Sequence, residues 1–265
     1  MTSWFEGAKN ILDVDGILPD YSICTLVTKK EQYREMRESF LSQGFLDGDV
    51  EYIYADNTNG NSMDAFLAYN TFLQRASAPY IILCHQDVLL LQDGREKLDL
   101  LIAEVSAVDP NWALLGNAGA KADRSFAIRI TDPNRIDQSL GGPFPARVVS
   151  LDENFIVVRK GANLALSHDL SGFHFYGADL CVIADILGLS SYVIDFHLLH
   201  KSAGSCDSSY FLSRRAFRAK YLRAFRSRWL SVVTLHPVYL TGNPAIGFLA
   251  RVAHKIWRAR PRLQR

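Results

Sequence analysis

Three short clusters in the sequence carry the side chains that bind cations and move protons. Asp56 and Asn57 follow the run Val50-Glu51-Tyr52-Ile53-Tyr54-Ala55. His85, Gln86 and Asp87 follow Tyr80-Ile81-Ile82-Leu83-Cys84. His174-Phe175-Tyr176-Gly177-Ala178-Asp179 opens a helical pattern, with His197 and His200 downstream. Singly, each has a plain structural explanation. An Asp after a strand caps a helix or closes a turn as often as it binds a ligand, and an Asp in the first turn of a helix complements its dipole. Two histidines three apart on extended chain face opposite ways, so only one of His197 and His200 can reach a shared site. The turn Asp152-Glu153-Asn154 either lines a pocket or is plain surface.

The elements that would position these clusters alternate in kind. Residues 21–27, 50–55 and 80–84 are short apolar runs that predict strands, the third without polar interruption, as in a buried parallel strand. Residues 31–43, 63–76 and 95–108 predict helices between and after them. This order predicts a parallel sheet with crossover helices, and ligands of such sheets bind beyond the carboxyl ends of the strands. All three clusters lie at strand ends or helix starts on that edge. Strands are further expected over 112–115, 126–130, 147–151, 155–158 and 191–196, and a helix over 176–187.

In this order and spacing, residues 21–204 resemble a GT-A-fold glycosyltransferase of the family 2 type. The resemblance is greatest to bacterial enzymes that build surface polysaccharides and carry His-Gln-Asp in place of the usual acidic pair. Tyr54-Ala55-Asp56-Asn57-Thr58-Asn59-Gly60-Asn61-Ser62 matches the turn that contacts the nucleobase. Cys84-His85-Gln86-Asp87-Val88 stands where the Asp-x-Asp metal motif would be, with His85 replacing the first acid. The segment from Ser171 to Cys181 fits the acidic stretch that supplies the catalytic base, and His200, before Lys201-Ser202-Ala203-Gly204, fits the histidine that completes the metal site.

The resemblance implies an α/β fold with a mostly parallel, Rossmann-like central sheet flanked by helices. It implies donor contacts from Asp56, Asn57, His85 and Asp87, a Mn²⁺ or Mg²⁺ ion held by Asp87 and His200, and Asp179 as general base. The implied reaction moves a sugar, with inversion, from a nucleotide-diphosphate donor (a UDP-sugar is favoured) to a lipid-linked or growing glycan acceptor. A sugar-phosphate nucleotidyltransferase would want glycines after the first strand, which Thr28-Lys29-Lys30-Glu31 lacks. In a non-catalytic nucleotide- or glycan-binding module, Asp179 would be only a cap.

Composition separates the chain into two parts. Of 29 Lys and Arg, 13 follow Asp207, whereas all 28 Asp and Glu precede Ser208. We therefore expect a catalytic domain over 1–207 and a basic helical appendage over 208–265. Phe217, Tyr221, Phe225 and Trp229 recur every four residues, and Ile246, Leu249, Val252, Ile256 and Trp257 form a second apolar pattern. Basic, aromatic, amphipathic helices suit an anionic membrane surface. No nucleic-acid recognition motif is present, so no nucleic acid is expected as a partner. Cys24, Cys84, Cys181 and Cys206 have no paired spacing and read as reduced thiols. No basic and apolar leader follows Met1, and no apolar run is long enough to span a bilayer. The expected location is cytoplasmic, peripheral at the inner face of the cell membrane.

Overall fold

The computed structural model describes residues 18–202, 204, 207–231 and 237–259. Cys206, the N-terminal segment and the side chain of Trp257 lie outside the described residues. The chain forms two compact units, Met1–Ser213 and Arg214–Arg265, so the boundary falls six residues beyond Asp207, inside a helix.

The first unit begins with β1 (Tyr21–Val27), α1 (Lys30–Ser42), β2 (Val50–Asp56), α2 (Ala65–Arg75) and β3 (Tyr80–Cys84). After it come β4 (Val88–Leu89), α3 (Arg95–Val108), β5 (Trp112–Gly116), β6 (Ala118–Ala120) and β7 (Phe126–Thr131). Next are β8 (Asp137–Leu140), β9 (Ala146–Val148), β10 (Ser150–Leu151), β11 (Phe155–Arg159), α4 (Tyr176–Ile186), β12 (Ser190–Val193) and β13 (Leu198–His200). A helix, α5 (Ser208–Ala224), carries the chain into the second unit, which holds β14 (Arg228–Leu230), β15 (Val238–Leu240) and α6 (Pro244–Ala259).

Seven strands form the main sheet in the order β2-β1-β3-β11-β5-β12-β9. β1 pairs in parallel with β2 and β3, and β5 with β12, while β11 is antiparallel to both β3 and β5 and β9 to β12. Five strands thus run one way and two the other, the mostly parallel α/β arrangement expected from the sequence. Burial on both faces explains the unbroken apolar runs: every residue of β5 and all but one of β3 and β11 are buried. Met36 and Phe40 of α1 and Leu98 and Ile102 of α3 pack with Tyr21, Trp112 and Phe155 in the core. A smaller sheet, β10-β6-β7-β13-β4 with β8 against β7, stands beside it. Its short strands β6 and β8 were not anticipated, because their few residues show no clear apolar alternation. The expected strand over 191–196 stops at Val193, and the chain re-enters the smaller sheet at Leu198.

Cys24, Cys84 and Cys181 are buried free thiols, as read from their apolar settings. Burial pushes the Cys181 thiol up to about 11.

In the second unit, β14 and β15 form an antiparallel hairpin, and Trp229 packs against Tyr239 and His254 at ring separations of 5.1 and 5.3 Å. Trp229 therefore belongs to a strand, which corrects the helical stripe of four aromatics: α5 ends at Ala224. Phe217, Tyr221 and Phe225 do pack in succession, at ring separations of 4.7 and 5.6 Å. In α6, Gly247, Ala250 and His254 are half-buried, whereas Ile246, Phe248, Leu249, Val252 and Ile256 are exposed. At about 100° per residue these exposed residues share one side, and Arg251 and Lys255 flank the opposite one. No helix among the described residues is long and apolar enough to cross a membrane.

Candidate functional site

Beyond the carboxyl ends of β1 and β3 lies a cavity of about 540 Å³, lined in part by Thr28, Lys29, His85, Gln86, Asp87, Tyr176 and Lys201. Gln86 builds one wall. The residue before α1, Lys29, makes no side-chain cap; instead Gln86 Oε1 accepts from the backbone N–H groups of Thr28 and Lys29, each at 2.9 Å, and Gln86 Nε2 donates to Thr28 Oγ1 at 2.6 Å. The loop after β3 and the start of α1 are thereby held together across the cleft.

His85 and Asp87 of this lining converge with His200, one potential ligand atom from each lying within 4.8 Å of the others. The antiparallel pairing of β13 with β4 sets His200 opposite Val88, next to Asp87. The Lys201 N–H donates to the Asp87 carbonyl at 3.0 Å, and His200 Nε2 lies 3.5 Å from Asp87 Oδ1. Burial works against ionising Asp87. Hydrogen bonds from His200 and Ser202, with the neighbouring imidazoles, outweigh it and hold the carboxyl well below its usual range. Burial, then the nearby His200, pushes His85 down, towards the neutral imidazole that can ligate. One hard oxygen and two imidazole nitrogens fit a divalent transition ion better than Mg²⁺, which prefers oxygen throughout.

A second cavity, of about 520 Å³, is lined by Phe126, Asp152, Glu153, His174, Phe175 and Tyr210, among others. Glu153 lies in a turn closed by Asp152, whose Oδ1 accepts from the Asn154 N–H at 3.0 Å. The first turn of α4 lacks a side-chain cap of its own, since Phe175 precedes it with φ 71°. Glu153 Oε1 takes that place, accepting from the Gly177 N–H at 3.1 Å. Burial nevertheless dominates and pushes the Glu153 carboxyl up to about 8, with the nearby Asp152 adding to the effect and the N–H donors of α4 opposing it. A carboxyl so tuned, on a cavity wall, can exchange a proton near neutral pH. Tyr176 stands between the two groups: its hydroxyl is 2.9 Å from the Glu153 carbonyl and 2.7 Å from His85 Nε2.

Not every residue singled out from the sequence arrives here. Asp179 is fully buried, its two carboxylate oxygens accepting from the N–H and hydroxyl of Ser167, each at 2.7 Å. Asp179, expected as the base, is thus enclosed within the fold in this structure, and its neighbour Ala178 lines the second cavity. Asp56 and Asn57 do not line the first cavity. Asp56 accepts from the N–H and hydroxyl of Thr58, which lower its pKa. Asn57 is buried and organises its loop through Ser62 and Met63. Both are turn-formers in this structure. His197 points elsewhere, to Thr131 Oγ1 at 2.7 Å. Glu153 was visible only as part of an acidic turn, and Tyr176 and Gln86 lay within the clusters named from the sequence without a signal that gave either a role.

No protein-family model matches the sequence. Among solved structures, GalNAc-T7 with UDP, GalNAc and Mn²⁺ is 9% identical with a TM-score of 0.47, over 70% of this chain and 44% of that one. The chain thus spans less than half the length of that protein. A197 from STIV is 10% identical with a TM-score of 0.39, over 71% of this chain and 96% of that one. The sequence comparison is of a different order. ATP synthase subunits region ORF 6 of Fuscovulum blasticum is 36% identical over 220 residues, which cover 81% of this chain and 88% of that protein. Identity at that level, along more than four fifths of both sequences, makes this chain a member of the same family as the Fuscovulum blasticum protein.

Proposed function

We propose that this chain is a metal-assisted, inverting glycosyltransferase that uses a nucleotide-diphosphate sugar, with a UDP-sugar favoured. The observation that carries the reading is the pairing of two sites: a His-Asp-His group at the carboxyl edge of the sheet, and a part-buried carboxylate with a raised pKa on the adjoining turn. His85, Asp87 and His200 would hold the Mn²⁺, whose charge would offset that of a diphosphate leaving group. Lys29 and Lys201 add positive charge on the wall of the same cavity. Glu153 replaces Asp179 as the proposed base. It takes the proton of an acceptor hydroxyl while that oxygen bonds to the anomeric carbon and the carbon–oxygen bond to the diphosphate breaks. One displacement from the opposite face inverts the centre.

The finer reading is an acceptor that is lipid-linked or a growing glycan of a bacterial surface polysaccharide, met at the inner face of the cell membrane. It is supported by the basic C-terminal unit and by the exposed apolar side of α6, which together suit an anionic lipid surface. The test is thermal stabilisation and nucleotide release across a panel of nucleotide sugars with Mn²⁺. UDP-dependent stabilisation should require Mn²⁺ and Asp87 but survive Glu153→Gln. Equal behaviour of wild type and Asp87→Ala in both assays rejects the reading.

A further inference from the structure

The hydrogen bonds around Tyr176 decide which nitrogen of His85 is available to a cation. A tyrosine hydroxyl has one proton to give and can accept two. The Tyr176 hydroxyl has three neighbours: the Glu153 carbonyl at 2.9 Å, His85 Nε2 at 2.7 Å and the Tyr69 hydroxyl at 3.5 Å. A carbonyl can only accept, so the single proton of Tyr176 goes to Glu153. His85 Nε2 must then carry a hydrogen and donate it to Tyr176, and the Tyr69 hydroxyl supplies the other incoming proton. In the neutral imidazole, the form that can ligate a cation, that one N–H is committed to Tyr176 and Nδ1 keeps a free lone pair. The main chain enforces the same placement: the His85 N–H donates to the Asn154 carbonyl at 2.9 Å, the residue next to the carbonyl that Tyr176 holds.

We infer that Tyr176 is a positioning residue, which locks His85 in the Nε2–H tautomer so that Nδ1 faces the cation and ties that imidazole to the turn bearing Glu153. The inference concerns this chain's own hydrogen bonding and rests on the metal reading above only for what Nδ1 does. Partners of this kind, behind a ligating histidine, fix its tautomer and orientation, and losing them costs roughly 10- to 100-fold in metal affinity. Tyr176 itself is buried at the first residue of α4 and packs against Tyr69 with ring centres 4.7 Å apart. It can therefore hold the ring of His85 without moving when a ligand enters.

Two measurements test it. In ¹⁵N-labelled full-length protein without metal, at pH 8, long-range proton–nitrogen correlation should show His85 protonated on Nε2. Finding the proton on Nδ1 overturns the inference, whatever the protein binds. Mn²⁺ titration followed by electron paramagnetic resonance should give a dissociation constant roughly 10- to 100-fold weaker for Tyr176→Phe than for wild type. A change of less than twofold also overturns it. Tyr69→Phe removes a donor to the same hydroxyl but leaves the Tyr176–Glu153 bond, so it should keep the His85 tautomer; a switch to Nδ1–H in this variant overturns the proton assignment. If wild type binds no Mn²⁺, or binds it equally well as Asp87→Ala, the metal reading fails. The tautomer of His85 still decides the role of Tyr176.

Discussion

The two units of the chain use apolar residues in opposite ways. In the first, the strands β1, β3, β5 and β11 are buried almost throughout, and two half-buried polar side chains tie the turns of the cleft to helix starts: Gln86 to the start of α1, Glu153 to the start of α4. In the second, α6 turns a small and polar side to its own hairpin and leaves Ile246, Phe248, Leu249, Val252 and Ile256 outside. Burying such residues removes each side chain from water at a gain of about 1.5–3 kcal/mol. Five such residues stay exposed on one helix among cations. One unit organises polar groups around a cleft, and the other presents an apolar surface.

The sharpest way to break this contrast is at Asp87. Asp87→Ala should abolish transfer and Mn²⁺-dependent nucleotide binding while leaving association with lipid vesicles untouched, as measured by nucleotide release and cosedimentation. Activity that survives in this variant would remove the chemistry from the cleft.

Glu153→Gln should lower turnover by roughly 10²- to 10⁴-fold with donor binding retained. The carboxyl is pushed from 4.5 to about 8 in the fold, so wild-type turnover should climb as pH rises towards 8 and then level. Stability follows the other sign. The folded state keeps a proton that the unfolded chain releases above about 4.5, so wild-type stability falls as pH rises from there to about 8. Glu153→Gln removes that dependence, and its Tm should exceed that of wild type by a margin that widens between pH 5 and pH 8. A constant margin would show that burial of Glu153 carries no such cost.

On the other side of the contrast, replacing Leu249 and Val252 together by Glu should weaken binding to vesicles containing anionic lipid by roughly tenfold or more, with Tm unchanged because both residues are exposed. Wild-type binding should persist in part at high salt, since insertion of apolar groups is not screened. Unchanged binding would mean that the face of α6 meets something other than lipid.

The smallest effect on turnover is expected at Asp179. Asp179→Asn weakens the bonds from Ser167 and should cost about 1–3 kcal/mol of stability in denaturant unfolding, with turnover per folded molecule close to wild type. A loss of turnover as deep as that of Glu153→Gln, at full stability, would restore Asp179 as the base.

The sequence by itself determined the alternation of strands and helices, because apolar runs of five to seven residues separated by helical patterns have few other solutions. It also brought out His85 and Asp87, because residues that follow parallel strands share one edge whatever the details of packing, while His200 entered through the family resemblance. Tertiary structure alone brought Glu153 to the site. Phe155 pairs with Cys84 across β11 and β3 in antiparallel register, so Asn154 stands opposite His85 and Glu153 comes beside the site. That register joins residues about seventy positions apart, and no local pattern encodes it. Asp179 shows the complementary limit: one residue along a helix is a rotation of about 100°, enough to give Ala178 to the cavity and Asp179 to Ser167. Spacing names the candidates on a helix, but which side meets the cleft depends on what the rest of the chain packs against it.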